Sequence, residues 1–333
     1  MTHAKAPGKI ILFGEHAVVY GQPALAVPVK DFFAEAEVLD INRAGIWISA
    51  PDIGLHEELS RLASENPLAT LVEAVFSTLG INSPPSGGCE AVSSPDTRRT
   101  EWGRKLDAKN GIEIKITSTI PIASGLGSGA AVSVAIIRAL SAYLSSPLDD
   151  EKVNEIAYKV EKIHHGTPSG IDNTVVTYGK PIFFIKDNPI ELLEVATPFT
   201  LLIADTGIPA PTKKSVADVL KLWEQNPKKM NALFAAAGSI AKTARQAIEG
   251  GHPERLGALM NENHRILQEL DVSCQALDYL TEASLNAGAL GAKLSGGGRG
   301  GNMIALSTKE NAPAIAEALY IAGAKKVILT EVR

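Results

Sequence analysis

A strand, a glycine-serine turn and a small-residue helix follow one another between residues 111 and 140, and this succession constrains the chain more than any other segment. Gly111-Ile-Glu-Ile-Lys-Ile-Thr117 alternates apolar and polar side chains, the period of a half-buried strand. Pro121-Ile-Ala-Ser-Gly-Leu-Gly-Ser-Gly-Ala-Ala131 interrupts that period, and Val132-Ser-Val-Ala-Ile-Ile-Arg-Ala-Leu140 continues as a helix. The first backbone N–H groups of a helix have no internal partner and the macrodipole is positive there, so main chain alone can seat a phosphate. Gly125, Gly127 and Gly129 would let that backbone reach an anion without a Cβ in the way. An isolated Gly-x-Gly is as readily a tight turn before a core helix. Two further glycine-rich segments, Pro7-Gly-Lys-Ile-Ile-Leu-Phe-Gly-Glu-His16 and Lys293-Leu-Ser-Gly-Gly-Gly-Arg-Gly-Gly301, favour the ligand reading.

At 333 residues the chain suits two domains of ordinary size. With 45% hydrophobic and 21% charged residues it is neither disordered nor fibrous. A net charge of −5 and the lack of a long basic run predict no nucleic-acid or membrane partner. Cys89 and Cys274 are too few for a disulfide framework or a cysteine zinc site and read as reduced cytosolic thiols. No signal peptide and no run of about 20 apolar residues is present, so a cytoplasmic location is expected.

Short β-branched or aromatic runs at 10–13, 24–29, 32–38 and 46–48 predict an opening sheet. Helical spacing covers 55–79, an exposed Pro/Gly/Ser/Arg loop 83–103, and a further helix 149–165, with Glu161 beside its apolar stripe. Strands are predicted at 181–185 and 199–204, and the link at Asn188-Pro189 sets the domain boundary, giving 1–187 and 188–333. Helices follow at 213–223, 230–249, 256–270 and 276–287, then strands at 293–295, 302–306 and 326–329 around a helix at 312–322.

Neither Gly8-Lys9 nor Gly179-Lys180 has the earlier glycine and following hydroxyl of a P-loop. Gly296, Gly298 and Gly301 satisfy the dinucleotide spacing, but a strand follows where a helix is required. The turn 295–301 therefore reads as backbone passing close to a ligand or as a structural glycine corner. Asp172, on the constrained loop after the Glu161 helix, adds a second carboxylate. One acid could hold Mg²⁺ while the other accepts a hydroxyl proton; an Asp in such a turn is also an ordinary turn residue. His164 and His165 read as helix-end residues.

Four segments, in order, resemble the GHMP kinases: residues 6–21, Gly125-Leu-Gly-Ser-Gly-Ala-Ala131, His165-Gly-Thr-Pro-Ser-Gly-Ile-Asp-Asn173 and Ala292-Lys-Leu-Ser-Gly-Gly-Gly298. The Gly14-Glu-His-Ala-Val-Val-Tyr-Gly21 form is most similar to the mevalonate-phosphorylating branch. The resemblance implies a two-domain α+β fold, with an N-terminal ATP-binding domain, a C-terminal ferredoxin-like α/β domain and the active site in the cleft between them. It implies ATP as phosphoryl donor, Mg²⁺ as cofactor, the C5 hydroxyl of (R)-mevalonate as acceptor, and a homodimer. Carried over by position, Lys9 and Asp172 are the catalytic pair, and Ala123, Ser124, Gly125, Leu126, Gly127, Ser128 and Gly129 line the ATP phosphates. Glu15, His16 and Thr212 stand near the acceptor, Glu161 is a Mg²⁺ ligand, and Asp52 falls near the nucleotide. Many members carry a serine ligand where this chain has Gly129, which leaves Ser128 or retained water to complete the metal shell. Other GHMP acceptors, and a non-catalytic nucleotide-binding protein, are the alternatives.

Overall fold

The computed structural model describes residues 1–63, 65–81, 110–121, 125–165, 168–210 and 212–333. The elements are β1 (Thr2–Phe13), β2 (Ala24–Ile41), β3 (Gly45–Ala50), β4 (Leu55–Glu58), α1 (Pro67–Thr78), β5 (Gly111–Ser118), α2 (Ser128–Tyr143), α3 (Asp150–His165), α4 (Ile171–Tyr178), β6 (Ile182–Phe184) and β7 (Glu191–Leu192). They continue with β8 (Phe199–Asp205), α5 (Thr212–Gln225), α6 (Pro227–Glu249), α7 (Leu256–Glu269), α8 (Gln275–Asn286), β9 (Gly291–Ser295), β10 (Asn302–Ser307), α9 (Ala312–Ile321) and β11 (Lys326–Val332). Two compact units interleave along the sequence. One takes Met1–Pro7, Phe32–Thr119 and Gly129–Pro168, the other Gly8–Asp31, Ile120–Ser128 and Ser169–Arg333. The expected boundary at 187/188 falls within the second.

In the first unit β3 pairs with β4 antiparallel and with β5 in parallel, while residues 34–41 of β2 run antiparallel to β5. Helix α1 buries Leu71, Val72, Val75 and Phe76, and α3 buries Val153, Ile156 and Val160 at helical spacing. The side chain of Asn66 accepts from Leu68 N at 2.9 Å and Pro67 takes the first helical position, which starts α1 sharply.

In the second unit the strands stand in the order β11-β8-β10-β9, all antiparallel, with helices between β8 and β9 and between β10 and β11. This is the split arrangement of the ferredoxin-like expectation. Central strand β8 is buried along Phe199, Leu201, Leu202, Ile203 and Ala204, as is β10 along Met303, Ile304, Ala305 and Leu306. Helices α7 and α8 pack on β9. Strand β6 joins residues 24–26 of β2.

Two expectations change. The helical spacing at 55–79 is a helix only from Pro67: Leu55–Glu58 is β4, whose pairing from Ala50↔Leu55 to Trp47↔Glu58 recruits a segment too short for its period to decide. Asp172, expected on a loop, is the second residue of α4, because Gly170 turns left-handed (φ 86°) and lets Ile171, Val175 and Val176 bury as one face. The expected loop at 83–103 lies outside the described residues. No helix among the described residues is long and apolar enough to cross a membrane.

Candidate active site

Gly125 and Gly127 both have left-handed backbone, φ 74° and 75°. A Cβ on Gly127 would come within 2.7 Å of Lys9 Cγ and 3.1 Å of Lys9 Cε, so glycine is what lets the lysine stem lie along the turn. Lys9 N donates to Leu126 O at 2.9 Å, and buried Leu126 anchors the turn from below. Ser128 opens α2, and a Cβ on Gly129 would meet nothing within 4 Å. Ala123 and Ser124 lie outside the described residues.

Lys9 Nζ lies 2.9 Å from Asp172 Oδ2. The lysine side chain is 5% exposed and the aspartate 29%, so the positive partner is sealed into β1 while the carboxylate keeps an open side. The first turn of α4 favours a negative charge there. Thr174 Oγ1 donates to Gly170 O at 2.7 Å and ties that turn together.

The chain reverses at residues 14–17. Ala17 N donates to Glu15 O at 2.6 Å across His16, whose φ of 60° and ψ of −47° describe a rare, strained γ-turn. Glu15 is held by Lys293, both fully buried; Lys293 Nζ donates to Glu15 Oε1 and, at 2.6 Å, to Leu294 O. Burial raises the Glu15 carboxyl pKa against the opposing pull of Lys293, and burial lowers the Lys293 ammonium against Glu15. Oxygen Oε2 of Glu15 has no protein partner. Burial also lowers the His16 pKa to about 4, opposed by its bond to Gly297 and reinforced by the charge of Arg299. The neutral ring donates from Nε2 to Gly297 O at 3.1 Å, which leaves Nδ1 as an unprotonated acceptor.

The turn 296–301 supplies that carbonyl. Ser295 Oγ donates to Ile11 O at 2.7 Å, joining the end of β9 to β1. Gly297 lies so close to Thr212, the first residue of α5, that a Cβ would fall 2.9 Å from Thr212 Cα. The structure thus brings Lys9, Asp172, Glu15, His16, Thr212 and both glycine turns into the second unit. Glu161 lies half-buried on α3 in the first unit. Asp52, also in the first unit, accepts from Ser118 N at 2.8 Å.

The sequence model for the GHMP kinases N terminal domain matches residues 97–180, and that for GHMP kinases C terminal matches 244–325. A mevalonate kinase of Pyrococcus furiosus is 36% identical over 342 residues, 98% of this chain and 94% of that one. The chain belongs to the GHMP kinases.

A second relative of this GHMP kinase, a mevalonate kinase of Thermococcus gammatolerans, is 37% identical over 335 residues, 98% of this chain and 94% of that one. The crystal structure of L. major mevalonate kinase in complex with R-mevalonate matches with a TM-score of 0.80 and 30% identity, over 100% of this chain and 96% of that one. The two-domain α+β fold follows, and the chain is an enzyme of the kinase class.

Sequence reasoning missed two residues of this GHMP kinase. Lys293 falls in a predicted strand and in two of the quoted segments but carries no individual role there, although a lysine within Gly291-Ala-Lys-Leu-Ser295, otherwise small or apolar, is a signal of a buried partner. Asp218, on the second turn of α5, gives no such signal, since a charge on an amphipathic helix is ordinary.

Proposed function

We propose that this GHMP kinase transfers the γ-phosphoryl group of ATP to the C5 hydroxyl of (R)-mevalonate, giving 5-phosphomevalonate and ADP. Relatives named mevalonate kinase span nearly the whole chain at 36 and 37% identity. The observation that carries the chemistry is the Lys9–Asp172 pair, 2.9 Å apart, with the lysine stem packed against the glycine turn that precedes α2. The γ-phosphoryl group rests on the turn 125–129, where backbone N–H groups and Lys9 meet the charge that develops as it moves. Asp172 Oδ accepts the hydroxyl proton as the new P–O bond forms, since a carboxylate is far too weak a base to remove it beforehand. His16 and Thr212 border the acceptor, and Glu15 stands beside His16 with Oε2 unpartnered.

Among the described residues no three His, Cys, Asp or Glu side chains gather into a metal cage. Mg²⁺ needs none: it takes one or two carboxylates and completes its shell with phosphate oxygens and water. Glu161 and Ser128 are hard oxygen donors of the kind it prefers, and a bound Mg²⁺ would neutralise phosphate charge.

The rival acceptor, an already phosphorylated mevalonate, needs a free cation for its second phosphate, for which the candidates are Lys213 and Lys214 at the start of α5 and Arg299 on the 296–301 turn. The Arg299 guanidinium is taken: Nη1 donates to Asp218 at 2.5 Å, Nη2 to Asp271 at 3.1 Å and Nε to Asp271 O at 3.0 Å. ADP release with mevalonate, phosphomevalonate, homoserine and galactose separates the readings. Turnover on mevalonate alone is expected; turnover confined to another acceptor overturns the assignment. The division into 1–187 and 188–333, with one family model on each side, belongs to the same proposal, as do the cytoplasmic location, the homodimer and the lack of nucleic-acid or membrane partners.

A further inference from the structure

Arg299 is the one non-glycine residue of the turn 296–301, and it holds a backbone conformation (φ 58°) that its glycine neighbours adopt at no cost. That conformation is kept because every face of the guanidinium is engaged. Asp218 on α5 and Asp271 after α7 take Nη1 and Nη2, Asp271 O takes Nε, and Arg299 N donates to Val272 O at 2.8 Å. The Arg299 side chain is 22% exposed and Asp218 25%, so that ion pair is sheltered on both sides, whereas Asp271 is 79% exposed and closes the clamp from the surface. The clamp thus ties three segments, α5, the end of α7 and the β9–β10 turn, to one side chain.

Two residues along the turn, Gly297 presents the carbonyl that accepts from His16 Nε2 at 3.1 Å, and Gly297 itself lies against Thr212 at the start of α5. Asp218 is on the same helix as Thr212, so the clamp fixes the helix and the turn that meet at this point. We propose that Arg299 is a positioning residue for the acceptor site: by locking the 296–301 turn onto α5 and Asp271 it places the Gly297 carbonyl, which in turn fixes the His16 ring with Nδ1 bare. This rests on the reading of His16 as an acceptor-contacting residue.

The test is a double-mutant cycle read in steady-state kinetics. Arg299→Gly keeps the turn's backbone unstrained and removes the clamp; Asp218→Asn removes one arm from outside the turn and guards against misfolding of the first variant. In Arg299→Gly the KM for mevalonate rises about ten-fold with the KM for ATP unchanged, the scale of a small misplacement of a contacting group. Asp218→Asn shifts it in the same direction by about three-fold, and Arg299→Lys, which keeps charge without the fork, does not restore the wild-type value. In a His16→Ala background Arg299→Gly has no further effect on the mevalonate KM, because its action runs through the ring. Additive effects with a shifted His16→Ala overturn the proposal alone, as does an unchanged mevalonate KM in Arg299→Gly and Asp218→Asn. An unchanged mevalonate KM in His16→Ala removes the reading of His16 and the proposal with it.

Discussion

Two lysine–carboxylate pairs lie in the same unit, and they differ in one respect: Lys9 faces an Asp172 that is 29% exposed, whereas Lys293 and Glu15 are 0 and 1% exposed. A pair sealed on both sides serves as architecture, since moving either group away leaves the other uncompensated. A pair open on the carboxylate side can exchange a proton with an incoming hydroxyl while the buried lysine keeps its charge in place. The Lys293–Glu15 pair therefore braces the strained turn at His16, and the Lys9–Asp172 pair is the one to which the proposed mechanism assigns the chemistry.

The contrast is broken most severely by Lys293→Met, which strands a carboxylate in the interior. It should cost about 3–5 kcal/mol in urea unfolding, against about 1 kcal/mol for Lys9→Met, whose partner can turn to water. Equal losses would end the distinction. In stability the His16 turn comes next. Its imidazole binds a proton near pH 6.5 when unfolded but only near pH 4 when folded, so the unfolded state holds more protons in between. Stability should fall by about 3 kcal/mol on acidification through that window, and His16→Asn should flatten this part of the pH–stability curve.

Asp172→Asn should lower turnover at least about 10²-fold, close to 3 kcal/mol in the barrier, with nucleotide binding nearly unchanged. Near-normal turnover would return Asp172 to the role of a turn residue. The smallest effects concern the glycines of the turn that leads into α2. Gly127→Ala meets both the left-handed backbone and the Lys9 stem, and should cost roughly 1–2 kcal/mol and reduce turnover. Gly129→Ala enters open space in a helix and should stabilise by about 0.5–1 kcal/mol. Thermal melts of the two variants, side by side, check the sign.

Most elements were legible because their periods are long enough to decide: the 111–117 strand, the α3 stripe at Val153, Ile156 and Val160, and the buried run of β8. Leu55–Glu58 was not, since four residues fit a helix or a strand equally and only pairing with β3 chose. At the site the glycine turn, Lys9 and Asp172 stood out by residue type. The pairings Glu15–Lys293 and Asp218–Arg299 did not, because their partners are 278 and 81 residues apart in sequence.

The sequence by itself determined which groups are present and what they can do: glycines where only positive φ serves, an ammonium, a carboxylate, a helix start beside a phosphate-seating turn. These are local properties, written in residue type and spacing. Only the tertiary structure decided which carboxylate is sealed and which is open, because burial and long-range pairing depend on how distant segments pack. The same Lys–carboxylate pairing is sealed in one place and open to water in the other, and it is that access which the proposed mechanism turns into a proton acceptor.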